Sequence, residues 1–145
     1  PERLRLAKEL GADLILHSPQ VPVAEHVREA TEGRGVDLVL STVASQAVLD
    51  QSISLVRDGG TIHLFAGRRG GLPVRLDLNQ LHEREITLAN TYSSSPRHLQ
   101  EAFALIVEGK VHTEQLISHR LPLSKLLEGV SLMVEHKALK VYFHI

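Results

Sequence analysis

The 145-residue sequence contains no cysteine, and aromatic residues make up only 3% of it. The absence of cysteine excludes disulfide bonds, catalytic thiols and thiolate metal ligands within this chain. Because aromatic side chains are so scarce, aliphatic residues must fill the core. The apolar share of 43% is sufficient for a folded domain, and a chain of this length can bury a core.

An excess of one charge is also lacking, since 16 basic and 17 acidic residues give a net charge of -1. The two signs are mixed along the chain, which argues against binding to nucleic acid or to a membrane surface. No apolar run approaches the roughly 18 residues that a membrane-spanning helix needs. The charged helical pattern at residues 2–10 is not that of a signal peptide, so we expect a cytoplasmic protein. The chain begins at Pro1 and not at methionine, which suggests a longer parent polypeptide.

Recognised metal and catalytic motifs are missing as well. The nine histidines show no ligand spacing such as H-E-x-x-H, and we interpret them as scattered surface residues. This interpretation includes the neighbouring His82 and Glu83 and the pair His112 and His119. No nucleophile elbow supports Ser/His/Asp catalysis, and no positional signal supports a pair of catalytic carboxylates.

The glycine-rich fingerprint of dinucleotide-binding turns, G-x-G-x-x-G, does not occur either. Gly67, Gly70 and Gly71 come closest, but they precede a loop with a proline and not a helix. The adjacent pair Arg68 and Arg69 could belong to a phosphate site or to an exposed loop. We favour the exposed loop, because the pair lies in the segment 66–73, which is rich in glycine and basic residues.

The pattern that is present alternates between helical and strand periodicity. Helices are predicted at residues 2–10, 23–31, 45–56, 97–109 and 124–136, and Ser93 to Pro96 form a helix-starting cluster. Short strands are predicted at residues 14–16, 36–40, 61–65, 86–91, 116–121 and 139–144, with a turn at 58–60. Helices of about 10–13 residues between short strands indicate βαβ units and a parallel sheet. The rhythm changes from about residue 92 onward, which predicts two regions, 1–91 and 92–145.

Seven phrases in this order carry a family resemblance: ERLRLAKELGAD, EGRGVDLVL, LVRDGGTIHLFAG, EITLANTY, LIVEGKV, ISHRLPL and LKVYF. Together they resemble the zinc-type medium-chain alcohol dehydrogenase family, in particular its sorbitol, threonine and secondary-alcohol branch. The resemblance implies an α/β fold with a partial Rossmann-type doubly wound parallel sheet that lacks its first two strands. Strands three to six would be residues 14–17, 36–41, 61–65 and 86–91, followed by C-terminal helices and short strands that pack on a catalytic domain.

The same resemblance implies NAD or NADP as cofactor, zinc held by an N-terminal catalytic domain, and a small alcohol or polyol as substrate. The G-x-G-x-x-G turn and the zinc ligands would precede Pro1, so we expect this chain by itself to be inactive. The alternative is a naturally shortened, non-catalytic module for nucleotide binding or dimerisation. The substrate, and the choice of NAD or NADP, depend on residues that this sequence does not contain.

Ligands of parallel sheets bind beyond the carboxyl ends of the strands, and three such ends supply candidate cofactor-binding residues. These residues are Ser41, Thr42, Val43, Phe65, Ala66, Gly67, Asn90, Thr91 and Tyr92. By resemblance, the first three lie near the riboses, the next three beside the nicotinamide, and the last three at its carboxamide. Lys140 matches a position that reaches the pyrophosphate in the family, although a solvated lysine at a strand end explains it equally well. The other nine could also be ordinary residues between strand and loop.

The missing strands should leave an open hydrogen-bonding edge, which costs free energy. We expect residues 14–17 to pair directly with 36–41, to pack loosely, or to pair with another chain. In the family, the strand at 86–91 lies at the sheet edge and joins two subunits. The apolar faces of the helices at 97–109 and 124–136 would lack their partner. The sequence therefore predicts a homo-oligomer.

Overall fold

The computed structural model describes residues 2–18, 20–67 and 70–145. The suggested phosphate site or loop at Arg68 and Arg69 lies outside these residues. The chain divides into two compact units, Leu16–Ser93 and Pro1–Ile15 with Ser94–Ile145. The helices are α1 (Glu2–Glu9), α2 (Val23–Ala30), α3 (Gln46–Leu55), α4 (Leu78–Glu83), α5 (Pro96–Val107) and α6 (Leu126–Val134). The strands are β1 (Val36–Ser41), β2 (Val56–Leu64), β3 (Thr87–Asn90), β4 (His119–Pro122) and β5 (Val141–His144).

The unit Leu16–Ser93 contains a three-stranded sheet in the order β1-β2-β3, and both of its strand pairs are parallel. Helix α3 connects β1 to β2, and α4 precedes β3. The α/β prediction with a parallel sheet is therefore confirmed, and β3 occupies one edge of the sheet as expected. The predicted division into the regions 1–91 and 92–145 stays a prediction, because the compact units of this chain do not show where the domains of a longer family member begin and end.

Aliphatic side chains from one face of this sheet and from α3 form the core of the unit. Leu49 and Ile53 of α3 pack with Val56 and Ile62 of β2 and with Ile86, and Ile62 is fully buried. Partly buried residues surround them: Val39, Leu64, Leu76, Leu81 and Leu88. Helix α3 begins at Ser45, whose hydroxyl accepts a hydrogen bond from the Val48 amide at 3.2 Å, and this cap fixes where the helix starts over the sheet.

The opposite side of β1 is poorly covered. Leu38 and Leu40 are 51% and 62% exposed, although buried parallel strands usually have cover on both faces. Residues 14–17 form no strand in the structure, so that prediction is wrong, and their direct pairing with β1 is wrong as well. A strand needs a neighbour to satisfy its amides and carbonyls, and residues 14–17 form no ladder with the edge of β1 that faces away from β2.

Two further details of this unit differ from the predictions. The turn at 58–60 is part of β2, which begins at Val56 directly after α3 and contains a register shift where Gly59 adopts φ +68°. Helix α4 was not predicted, because six residues give too few turns for a clear apolar stripe. The N-cap residue Asp77 is the sequence feature that could have indicated this helix, because its carboxylate accepts hydrogen bonds from the Asn79 and Gln80 amides.

The second unit combines α1 with the C-terminal elements. Helix α5 begins at the predicted cluster, where Ser95 forms a capping box with His98 and Pro96 occupies the first turn. Strands β4 and β5 are parallel and are connected through α6. The predicted strand at 116–121 is wrong in its first half, because Thr113–Leu116 forms a 3₁₀ turn and β4 begins at His119.

Helices of this second unit expose large apolar side chains. Phe103 and Val107 of α5 are 67% and 68% exposed, and Leu127 and Val134 of α6 are 80% and 72% exposed. The bare apolar helix faces expected from the sequence are thus present. Within the described part of the chain, no helix is long and apolar enough to span a membrane.

Candidate functional site

The carboxyl ends of the three parallel strands lie level with one another. In the register of the sheet, Ser41 is opposite Leu64, and Leu64 is opposite Asn90. The residues that follow each strand therefore meet along one border of the sheet. We call this border the carboxyl edge, which comprises residues 41–43, 65–67 and 90–92.

Backbone hydrogen bonds join the first two parts of the carboxyl edge. The carbonyl oxygen of Ser41 accepts from the Phe65 amide at 3.0 Å and from the Ala66 amide at 3.3 Å. The hydroxyl of Ser41, a residue that is 7% exposed, donates to the carbonyl oxygen of Val43 at 3.2 Å. These contacts fix the path of both segments, so the buried Ser41 side chain acts here as a structural brace.

A small, largely apolar pocket of about 250 Å³ opens at this edge. It brings together four of the predicted site residues, namely Ser41, Val43, Ala66 and Gly67. Residues that the sequence did not single out complete the lining: Ala44, Ser45, Leu49, Leu64, Leu72 and Val74. Leu72 and Val74 belong to the loop after β2, and the sequence alone gave no indication that this loop returns to the strand ends.

The other predicted residues of the edge do not line the pocket. Phe65 is 67% exposed and Tyr92 is 99% exposed, and Thr42, Asn90 and Thr91 are exposed as well. Thr91 does have a side-chain partner, because its Oγ1 lies 3.1 Å from Nε2 of His63 in β2. His63 was not predicted, and only the register of β2 against β3 reveals its position beside Thr91. The cofactor roles of all these residues stay predictions.

Lys140 belongs to the second unit, where it directly precedes β5. Its carbonyl oxygen accepts hydrogen bonds from the amide of Ser118 at 3.0 Å, from the hydroxyl of the same residue at 3.1 Å and from the amide of His119 at 3.3 Å. The backbone of Lys140 is thus well anchored while its side chain is exposed, and its contact with a pyrophosphate stays a prediction.

The pocket at the carboxyl edge has room for a small ring, and the described residues offer no cluster of zinc ligands. Small-molecule sites usually occupy about 300–1,000 Å³, so a pocket of about 250 Å³ can accept one flat ring and not a whole dinucleotide. No group of three or more histidine, aspartate or glutamate side chains converges in the described part of the chain, and cysteine is absent from the sequence. Catalytic zinc requires three protein ligands, so these residues supply no zinc centre.

Comparison with known proteins decides the family. The model of the family described as zinc-binding dehydrogenase matches residues 1–108. The chain belongs to the zinc-binding dehydrogenase family. It is 31% identical over 142 residues to a D-arabitol-phosphate dehydrogenase of Enterococcus avium, covering 96% of this chain and 39% of that protein. It is 28% identical to a sorbitol dehydrogenase of Halalkalibacterium halodurans, covering 96% of this chain and 40% of that protein.

Solved structures of alcohol dehydrogenases show the same fold. An alcohol dehydrogenase from Thermus sp. ATN1 superimposes with a TM-score of 0.91 at 29% identity, covering 100% of this chain and 41% of that chain. The resemblance to the alcohol and polyol dehydrogenases and the Rossmann-type fold class are therefore confirmed. This zinc-binding dehydrogenase chain spans about two fifths of the length of the relatives that it matches.

Proposed function

We propose that the chain forms the C-terminal cofactor part of an NAD(P)-dependent zinc alcohol or polyol dehydrogenase. In this proposal, the parent enzyme transfers a hydride from a secondary alcohol to the nicotinamide ring. The observation that carries it is the apolar pocket at the carboxyl edge, in a chain that belongs to the zinc-binding dehydrogenase family. Ligands of open parallel sheets bind at this end of the strands.

The pocket supports a role in holding one face of the nicotinamide. Ala66 and Gly67 have small or no side chains, so their backbone can approach a flat ring closely. Leu64, Leu72 and Val74 would exclude water from the side of the ring that they cover. NAD(P)⁺ would supply the hydride-accepting carbon, while this chain orients the ring that carries it.

Zinc chemistry would depend on residues outside this chain. The described residues contain no three-ligand cluster, and the relatives are more than twice as long as the chain. The proposal therefore predicts no alcohol oxidation by the 145-residue chain with NAD(P)⁺ and Zn²⁺. Turnover of sorbitol, detected as NADH absorbance and abolished by a chelator, would contradict the proposal that the zinc ligands lie outside this chain.

Binding of the reduced mononucleotide NMNH tests the pocket directly, because this probe carries the nicotinamide without the adenosine half. We expect weak, saturable binding, detected by nicotinamide fluorescence or by ligand-observed NMR. The substitution Ala66→Leu fills the pocket and should abolish the binding. Ala47→Leu, on the exposed side of α3 in the same unit, is the matched control and should leave binding unchanged. Equal affinity of both variants would refute the proposed site.

A second candidate function is a shortened dimerisation module. The exposed apolar side chains of α5 and α6 favour it, because a monomer rarely leaves such a surface without a partner. The NMNH experiment separates the two functions, since a module for dimerisation alone would show no dependence on Ala66.

A further inference from the structure

A cluster of arginines in the unit Leu16–Ser93 lies at the opposite end of the sheet from the carboxyl edge. A cleft of about 680 Å³ opens beside the beginnings of β1 and β2, and four arginines line it. We call it the arginine cleft, after Arg28, Arg34, Arg57 and Arg84. The proposed cofactor role makes no use of this cleft.

Two of these arginines are held firmly in place. The guanidinium of Arg84 donates to the carbonyl oxygens of Ile53 at 2.8 Å and Val56 at 2.6 Å, and to the Asp58 carboxylate at 2.7 Å. Arg57 donates to the Asp37 carboxylate at 2.5 Å and to the carbonyl oxygen of Asp58 at 2.6 Å. Such fixed guanidinium groups form a rigid wall of the cleft.

The loop between α2 and β1 brings a third arginine to this wall. Gly35, with φ +88°, passes so close to β2 that a Cβ atom there would lie 2.7 Å from the Leu55 carbonyl oxygen. This close approach lets Nη1 of Arg34 reach Asp37 at 3.1 Å, on the same carboxylate oxygen that Arg57 contacts. The hydroxyl of Thr31 steadies the loop by accepting from the Gly35 amide at 2.9 Å.

The acidic side chains at the cleft do not balance its positive charge. Asp37 and Asp58 contact three of the four guanidinium groups, so four positive charges face two negative ones. Arg28 has no acidic partner in the described ranges, so the N–H groups of its guanidinium remain available to a ligand. The remaining excess of two positive charges matches the charge of one phosphate monoester.

We propose that the arginine cleft binds a phosphate dianion, either free or as part of a small metabolite. Arginine forks match the geometry of phosphate oxygens and remain charged at every physiological pH, so Arg28 and Arg34 can each donate two parallel hydrogen bonds. The cleft lies at the amino ends of the strands, so this ligand is neither the nicotinamide nor the alcohol that reacts with it. The site is thus additional to the proposed cofactor site.

Titration calorimetry with inorganic pyrophosphate, at constant ionic strength, tests the proposal on the 145-residue chain. We expect saturable one-site binding that weakens as salt is raised. Arg28→Gln and Arg34→Gln should each weaken it by about tenfold, because each removes a charge-assisted fork. Arg75→Gln removes the same charge from the same unit, outside the cleft, and should change the affinity by less than about twofold. NMR shifts of the Gly33 and Gly35 amides should locate the bound probe.

Each alternative outcome is decisive. Absence of saturable binding, an equal loss in Arg75→Gln, or shifts confined to residues outside the cleft would each refute the site. The Arg28 side chain is exposed and forms no ion pair with the residues that the structure describes, so Arg28→Gln should keep the unfolding midpoint of the parent chain. This variant decides the matter if Arg34→Gln folds poorly. Replacing pyrophosphate by ADP identifies the source: tighter binding that still depends on Arg28 indicates a nucleotide, and equal binding indicates a free phosphate.

Discussion

The Nη2 atom of Arg84 donates a hydrogen bond of 2.6 Å to the carbonyl oxygen of Val56. Val56 is the first residue of β2 and directly follows α3, so this carbonyl lies where the chain leaves the helix. Arg84 itself follows α4, and its own carbonyl oxygen accepts from the Gly59 amide at 2.8 Å. One arginine therefore joins the end of α3, the irregular start of β2 and the approach to β3.

Arg84→Met tests this junction, because methionine keeps an apolar stem and removes every donor. We expect the free energy of unfolding to fall by about 2–4 kcal/mol, since hydrogen bonds from charged groups contribute about 1.5–3 kcal/mol each and the side chain is partly exposed. Urea unfolding followed by circular dichroism measures the change. Arg97→Met, which breaks an exposed pair with Glu101 on α5, should cost below about 0.5 kcal/mol. Similar losses in both variants would rule out the junction.

Gly35→Ala should destabilise the unit more than Gly33→Ala does. Both glycines have positive φ, +88° and +83°, so alanine is strained at either position by roughly 1 kcal/mol or more. At Gly35 the added Cβ would also lie 2.7 Å from the Leu55 carbonyl, whereas at Gly33 nothing lies within 4 Å. Thermal unfolding of the two variants isolates the close approach, and equal midpoints would contradict it.

The surroundings of Asp37 predict that the stability of the fold depends on pH. The hydrogen bond from Arg57, followed by the charge of Arg34, holds the pKa of Asp37 below its ordinary value of 3.8. Because the pKa of Asp37 is lower in the folded state, its ion pairs stabilise the fold fully at pH values above the ordinary pKa of 3.8. This stabilisation is lost as the pH falls from there through the lower pKa of the folded state.

Asp37→Asn should therefore be less stable than the parent chain by a constant amount above about pH 5, and the difference should shrink as pH falls below about 4. Urea unfolding at a series of pH values gives both curves. The side chain is well exposed, so high salt should also reduce the difference. A difference that is independent of pH would show that the loss comes from packing and not from the carboxylate.

The apolar faces of α5 and α6 predict self-association. Light scattering at tens of micromolar protein should give a mass above the 16.0 kDa of one chain, because large exposed apolar patches favour burial against a partner. Phe103→Glu combined with Leu127→Glu should shift the mass towards that of one chain. Glu101→Gln combined with Glu128→Gln, at charged positions of the same helices, serves as the control. A monomeric parent chain would refute the homo-oligomer.

Much of the candidate site can be predicted from the sequence, because parallel strands bring their carboxyl ends to one border of the sheet independently of the loop conformations. That logic places Ser41, Val43, Ala66 and Gly67 together, as the structure does. It does not reveal the contribution of Leu72 and Val74, because the path of a loop depends on the packing of the loop against the finished sheet. Gathering four arginines into one cleft likewise requires the turn at Gly35 and the start of β2.

The sequence by itself determined the alternation of helices and strands, the helix start at Ser95 and the family, because local periodicity, capping and ordered motifs act within short segments. Only the tertiary structure decided that residues 14–17 form no strand and that β2 begins at Val56. A strand forms only where a neighbour satisfies its backbone hydrogen bonds, and that neighbour is set by distant parts of the chain. The level ends of β1, β2 and β3, which create the carboxyl edge, have the same non-local origin.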